Sequence, residues 1–216
     1  MRLNNKRKEP RFWDTKQITF FLNATKSDPM NDLWRVTLNT GMRAGEIAGL
    51  KWDCIHLDKL FGDSKGYIEI KRTYNQKTRR MQETTKNGER RVIPILPDIR
   101  DLFYKLFENQ KGPFVFGGET CLESSHFNRQ LQSALNKLNT DQLPRITFHG
   151  LRHSFCSYLD ATGMNRRVVA EIMGHRDLNT INRYSHVNNQ MLGFEVARWV
   201  QNQSQQKTNK LELVSI

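Results

Sequence analysis

Apolar residues keep a helical spacing along most of this 216-residue chain and abandon it only once, near the middle. Asp14 or Thr15 can cap a helix carrying Ile18, Phe21 and Leu22. A second helix follows Pro29, carries Leu33, Val36 and Leu38, and stops at Gly41, a residue type suited to the left-handed position after a helix. A short helix runs through RAGEIAGL. The period then changes. YIEIKRTY (Tyr67–Tyr74) alternates like a strand, and MQETTKNGERRVIPI sets Asn87-Gly88 between two extended arms, a strong hairpin signal. Helical spacing resumes at Pro97 with Leu102, Phe103, Leu106 and Phe107. After the glycine- and proline-rich break at 112–118, helices are predicted over 125–138, 149–161, 166–173, 177–186 and 189–201, with Gly163 and Gly174 as stops. The pattern predicts an α+β fold, mainly helical, with one small antiparallel sheet. The ending KLELVSI alternates loosely like a strand but has no strand beside it in sequence.

Such a chain is long enough to bury a core of its own. Its 34 basic and 22 acidic residues leave a net charge of +12, an excess that points to a polyanionic partner. No apolar run reaches the length of a membrane span, and MRLNNKRKEP lacks the apolar core of a signal peptide. Cys54, Cys121 and Cys156 are widely spaced, which suggests neither a disulfide framework nor a zinc knuckle. The expectation is a reduced, cytoplasmic protein. Residues 1–11 carry five basic groups against one acid and read as a linker or arm.

Four segments hold residues able to do chemistry. On a helix that starts in FHGLRHSF near His149, the residues Leu151, Phe155, Tyr158, Leu159 and Thr162 form the core stripe, and His149, Arg152, His153 and Cys156 fall on the adjacent face. Histidines at i and i+4 can chelate zinc, but an arginine between them repels a cation and no third ligand is near. His149 and Arg152 point the same way from the first turn of the helix, where an anion is favoured. In TGMRAGEIAGLKW, Arg43 follows a helix-stopping glycine and Glu46 shares its face; by itself this is an ordinary surface pair. Lys86 directly precedes the Asn87-Gly88 turn, where a lysine is usually just solvated. The basic residues around it (Lys71, Arg72, Lys77, Arg79, Arg80, Arg90 and Arg91) suit a hairpin lying against phosphates. In EIMGHRDLNTINRYSHV, Gly174 ends a helix, His175 lies in the connection, Asp177 can cap the next helix, and Tyr184 sits on that helix. The segment also reads as a helix-turn-helix.

Taken together, arginines, histidines, a lysine and a tyrosine suit attack on a phosphodiester without a metal. Paired guanidiniums clamp the nonbridging oxygens, tyrosine is a nucleophile, histidine moves its proton, and lysine protonates the departing oxygen.

The order Arg…Lys…His-x-x-Arg…His…Tyr resembles the tyrosine recombinase, or phage integrase, family. TGMRAGEIAGLKW matches its first arginine box, TKNGERRVIPI its lysine hairpin, HGLRH its second box, MGH its Gly-His pair and TINRYSHV its tyrosine box, from about Phe12 to Trp199. The resemblance implies that Tyr184 attacks the scissile phosphate and becomes joined to its 3′ side. It implies that Arg43 and Arg152 stabilise the transition state, His149 assists proton transfer, Lys86 protonates the leaving 5′ hydroxyl and His175 bonds a nonbridging oxygen. Glu46 and His153 would be supporting residues. No cofactor is implied. The implied partner is double-stranded DNA at a specific recombination site, bound by a homo-tetramer, with no membrane involved. The catalytic domain is expected over 12–202, and the N-terminal core-binding domain usual in the family has no counterpart here. The tail, 203–216, is either a frayed terminus or a segment exchanged with a neighbouring protomer as an added strand. A topoisomerase-like or resolvase role would use the same chemistry. A non-catalytic DNA-binding protein and a metal-dependent nuclease are the readings from other classes. The first leaves the polar set without a purpose and the second lacks ligands.

Overall fold

A computed structural model describes residues 11–83, 90–174 and 189–214. The chain begins with α1 (Thr15–Ala24), α2 (Asn31–Thr40) and α3 (Ala44–Ala48). Asp14 and Gln17 close the start of α1 reciprocally: the Asp14 carboxylate accepts from Gln17 N–H at 2.8 Å, and Gln17 Oε1 accepts from Asp14 N–H at 3.0 Å. Trp13, Phe21 and Trp34 stack in series, with ring centroids 4.7 and 5.0 Å apart. Trp13 N–H also donates to Ser154 Oγ, which ties the chain start to a distant helix.

Five strands follow: β1 (Ile55–Phe61), β2 (Ser64–Ile70), β3 (Thr73–Asn75), β4 (Arg80–Gln82) and β5 (Arg91–Pro94). They form two antiparallel sheets where one was expected: β1-β2-β5, and the separate hairpin β3-β4. YIEIKRTY is therefore two strands, broken at Lys71-Arg72, whose side chains turn aside to pair with acids. Among the described residues, the arms on either side of Asn87-Gly88 do not pair with each other. The first, β4, pairs with β3, and the second, β5, with β2. The open side of β2 takes β5 because Ile93 and, just beyond the strand, Ile95 both enter the core. Asn87-Gly88 itself lies outside the described residues. β1 gave no sequence signal: its charges interrupt the alternation, and it pairs irregularly between His56 and Leu60 as an edge strand.

The rest is helical: α4 (Pro97–Glu108), α5 (Ser125–Leu138), α6 (Phe148–Ala161), α7 (Arg166–Met173) and α8 (Asn189–Val214). The strand reading of the tail is overturned as far as Val214. Between residues 201 and 214 there is no glycine or proline to stop the helix, and α8 runs on. The predicted helix over 177–186 lies outside the described residues.

Gly41 brings the site's elements together. It ends α2 in the left-handed region at φ 61°, and a Cβ there would lie 2.7 Å from Met173 Sδ and 2.8 Å from Phe155 Cδ1. Its absence lets the end of α2 rest directly on α6 and α7.

Candidate active site

Arg152 leaves the second turn of α6 and is 3 % exposed. Its guanidinium donates to two backbone carbonyls, Gly41 at the end of α2 and Met173 at the end of α7. No carboxylate pairs with it among the described residues. Burial, and then the neighbouring charges of Arg43 and Arg91, lower its pKa to about 10, so it remains a cation in neutral solution.

Glu46 is the acid of the cluster. As the third residue of α3 its Oε2 accepts from Arg43 N–H at 2.8 Å, and its Oε1 accepts from Arg43 Nη1 at 2.9 Å. Arg91 grips the same carboxylate with both ends of its fork, Nη1 to Oε1 at 2.8 Å and Nη2 to Oε2 at 2.7 Å. Burial would push this carboxyl up. The bonds and charge of Arg91, with those of Arg43, overcome it and hold the group at about 2. Three guanidiniums around one carboxylate leave two positive charges in excess.

Arg152 and His149 line a cavity of about 220 Å³ with Ser124, Ser125, Asn128 and Gln76. The N-terminal ends of α5 and α6 both reach it, so two helix dipoles present their positive ends there. Asn128 Oδ1 accepts from Phe148 N–H at 3.0 Å and fixes the start of α6 against α5. The first turn of α6 is closed by Thr147, whose Oγ1 accepts from Gly150 N–H. Met42 and Ala44, on either side of Arg43, complete the wall. The Arg43 side chain, 29 % exposed, lies against Glu46 and donates to Gly174 O at 2.8 Å. His153 stacks edge-on against His149 with centroids 4.6 Å apart. Burial and the Arg152 charge lower its pKa.

Sequence reasoning thus placed Arg43, Glu46, His149, Arg152 and His153, and the fold gathers them. Lys86, His175 and Tyr184 lie outside the described residues. Among the basic residues assigned to DNA, Arg91 is corrected: it is buried, with every nitrogen engaged, and serves Glu46. Its role was missed although the signal was present, since Arg91, Ile93 and Ile95 alternate on one side and the two isoleucines are core residues. Arg72 is also redirected, donating to both oxygens of Asp53 at 2.6 and 2.8 Å and to Glu83 at 2.8 Å. That contact holds Asp53 at about 2. Lys71 sits between Glu69 and Asp53. Lys77 and Arg79 are exposed on the β3-β4 turn, Arg80 at the start of β4, and Arg90 before β5.

The chain is similar to known proteins in sequence and in fold. The model of the phage integrase family matches residues 11–191. The transposase from transposon Tn916 of Enterococcus faecalis is 29 % identical over 198 residues, covering 79 % of this chain and 46 % of that protein. The chain spans about half the length of the curated relatives it matches first. The Tn1549 transposon integrase, solved in complex with transposon right end DNA, superposes with a TM-score of 0.68 at 22 % identity, covering 91 % of this chain and 68 % of that one. A lambda integrase tetramer bound to a Holliday junction does so at 0.62 and 16 %, covering 87 % and 52 %. Both share the fold.

Proposed function

Because the chain belongs to the phage integrase family, we propose that it breaks and rejoins double-stranded DNA at a specific recombination site, integrating or excising mobile DNA. Tyr184 Oη attacks the scissile phosphorus and the bond to the 5′ oxygen breaks, leaving a 3′-phosphotyrosyl link that conserves the ester for rejoining. The tyrosine proton passes toward His149, and the departing 5′ oxygen takes a proton from Lys86. Arg43 and Arg152 hold the nonbridging oxygens, with His175 as a further donor. No metal is needed for these steps. Action is on DNA in the cytoplasm, as a tetramer, and no helix among the described residues is long and apolar enough to cross a membrane.

The observation that carries this reading is the buried Arg152, held among the described residues by carbonyls alone, in a cluster whose described members leave two charges in excess, beside a cavity at two helix N-termini. A bound phosphate would neutralise what the protein leaves uncompensated. The test is a nicked suicide duplex in a chelating buffer. A protein–DNA adduct resistant to denaturation is expected. It should vanish in Tyr184→Phe and fall by roughly two to three orders of magnitude in Arg152→Lys, since an ammonium cannot reproduce the fork. Adduct formation that needs a divalent ion, or that survives Tyr184→Phe, would overturn the reading.

A further inference from the structure

The last carbonyls of a helix have no partners within it. At the end of α7, three consecutive ones are taken by three arginines from three parts of the chain. Arg91 Nε donates to Ile172 O at 2.9 Å, Arg152 to Met173 O, and Arg43 Nη2 to Gly174 O at 2.8 Å. Two of these arginines belong to the proposed phosphate site. Arg91 does not line that cavity and is only 9 % exposed.

Arg91 nevertheless shapes the surroundings of Arg43. Glu46 accepts from Arg43 through the same two oxygens that Arg91 grips from the far side, so the carboxylate cannot rotate and the Arg43 guanidinium has one resting place. At Gly174, in the left-handed region at φ 61°, a Cβ would lie 3.0 Å from Arg91 Cδ and 3.2 Å from its Nε. The stem of Arg91 occupies the space a side chain there would need, against the turn that leads to His175.

We propose that Arg91 is a positioning residue for phosphate binding, acting through Glu46 on Arg43 and through Ile172 O on the exit from α7. The inference rests on the phosphate-site reading above. Without Arg91, Glu46 keeps only Arg43 as a bonded partner. Its burial then raises the carboxyl, and acid releases the Arg43 guanidinium. The charged groups facing Glu46 are Arg43 on its own helix, Arg91 on β5 and Arg152 on α6. Beyond Arg152 on α6 stand His149, His153 and Cys156.

The probe is inorganic sulfate, whose charge is constant from pH 7.5 to 5. It is titrated into the full chain while the arginine Nε–Hε signals are followed by NMR. The quantity read is each variant's dissociation constant relative to wild type at the same pH. Arg91→Met should bind about tenfold more weakly at pH 7.5, with the ratio widening toward pH 5. In the double variant Arg91→Met with Glu46→Gln, the ratio should lose that pH dependence. Arg91→Lys keeps the charge and the fold but not the fork, and should bind several-fold more weakly with the Arg43 signal broadened or shifted. It carries the test should Arg91→Met fail to fold. Sulfate binding and Arg43 signals like wild type in Arg91→Lys, or a ratio in Arg91→Met that does not change with pH, would overturn the inference and leave the phosphate site standing. A wild-type chain in which sulfate does not move the Arg152 signal would overturn the phosphate site, and this inference with it.

Discussion

A histidine beside a buried cation is a sensor of acid. His153 packs against His149, and burial together with Arg152 lowers its pKa from the ordinary 6.5. The folded state therefore binds this proton less readily than the unfolded chain. The contribution of His153 is fully present above about pH 6.5 and is lost as pH falls through the lowered folded value. Urea titrations at pH 7 and pH 5 should show a smaller loss of stability in His153→Asn than in wild type; equal losses would assign the acid sensitivity to other groups. His153 also illustrates what a sequence reveals at this scale. The helical spacing of FHGLRHSF told which residues share a face with Arg152, because that follows from 100° per residue. It did not tell that Arg152 would spend its donors on the carbonyls of Gly41 and Met173, since those partners lie 111 and 21 residues away.

Among elements, the β3-β4 hairpin is held by two missing side chains. A Cβ on Gly45 of α3 would lie 2.6 Å from Thr73 Oγ1 and 2.6 Å from Tyr74 O, and one on Gly49 would lie 2.8 Å from Met81 Cε. The backbone oxygen cannot give way as a side chain can. Gly45→Ala should therefore lift the hairpin from α3, at a cost of about 1–3 kcal/mol. Hydrogen exchange should rise selectively over 73–82 while the amides of β2 and β5 keep their protection. Uniform acceleration would mean that the hairpin is not an independent unit. Here the sequence was legible in part. Caps at Asp14, Gly41 and Gly174 marked helix ends because their chemistry is local. Strand pairing was legible only in part because register depends on distant partners: Asn87-Gly88 suggested that its two arms meet, yet their described parts, β4 and β5, pair with β3 and β2.

For the molecule as a whole, the number of basic side chains free to meet phosphates would set how the proposed DNA binding responds to salt. Each lysine or arginine that neutralises a phosphate contributes about 0.9 to the slope of log affinity against log salt. Arg79 and Arg80 are exposed on the hairpin, whereas Arg72 is spent on Asp53 and Glu83. Replacing Arg79 and Arg80 together with Gln should reduce the slope by about 2, and Arg72→Gln should leave it nearly unchanged. Fluorescence anisotropy with a labelled duplex across a salt series measures both. An Arg72→Gln slope reduced as much as that of an exposed arginine would show that its ion pairs open on DNA.

The bonds that gather the arginines also order events in time. Arg43 and the carbonyl of Gly174 are 131 residues apart in the chain. At ordinary rates of synthesis a ribosome takes on the order of 10 s to travel between them. For that interval the growing chain carries Arg43 without the end of α7 that fixes it, so the arginine cluster is among the last parts of the described structure to come into being. A partly made chain is already basic but has no assembled site.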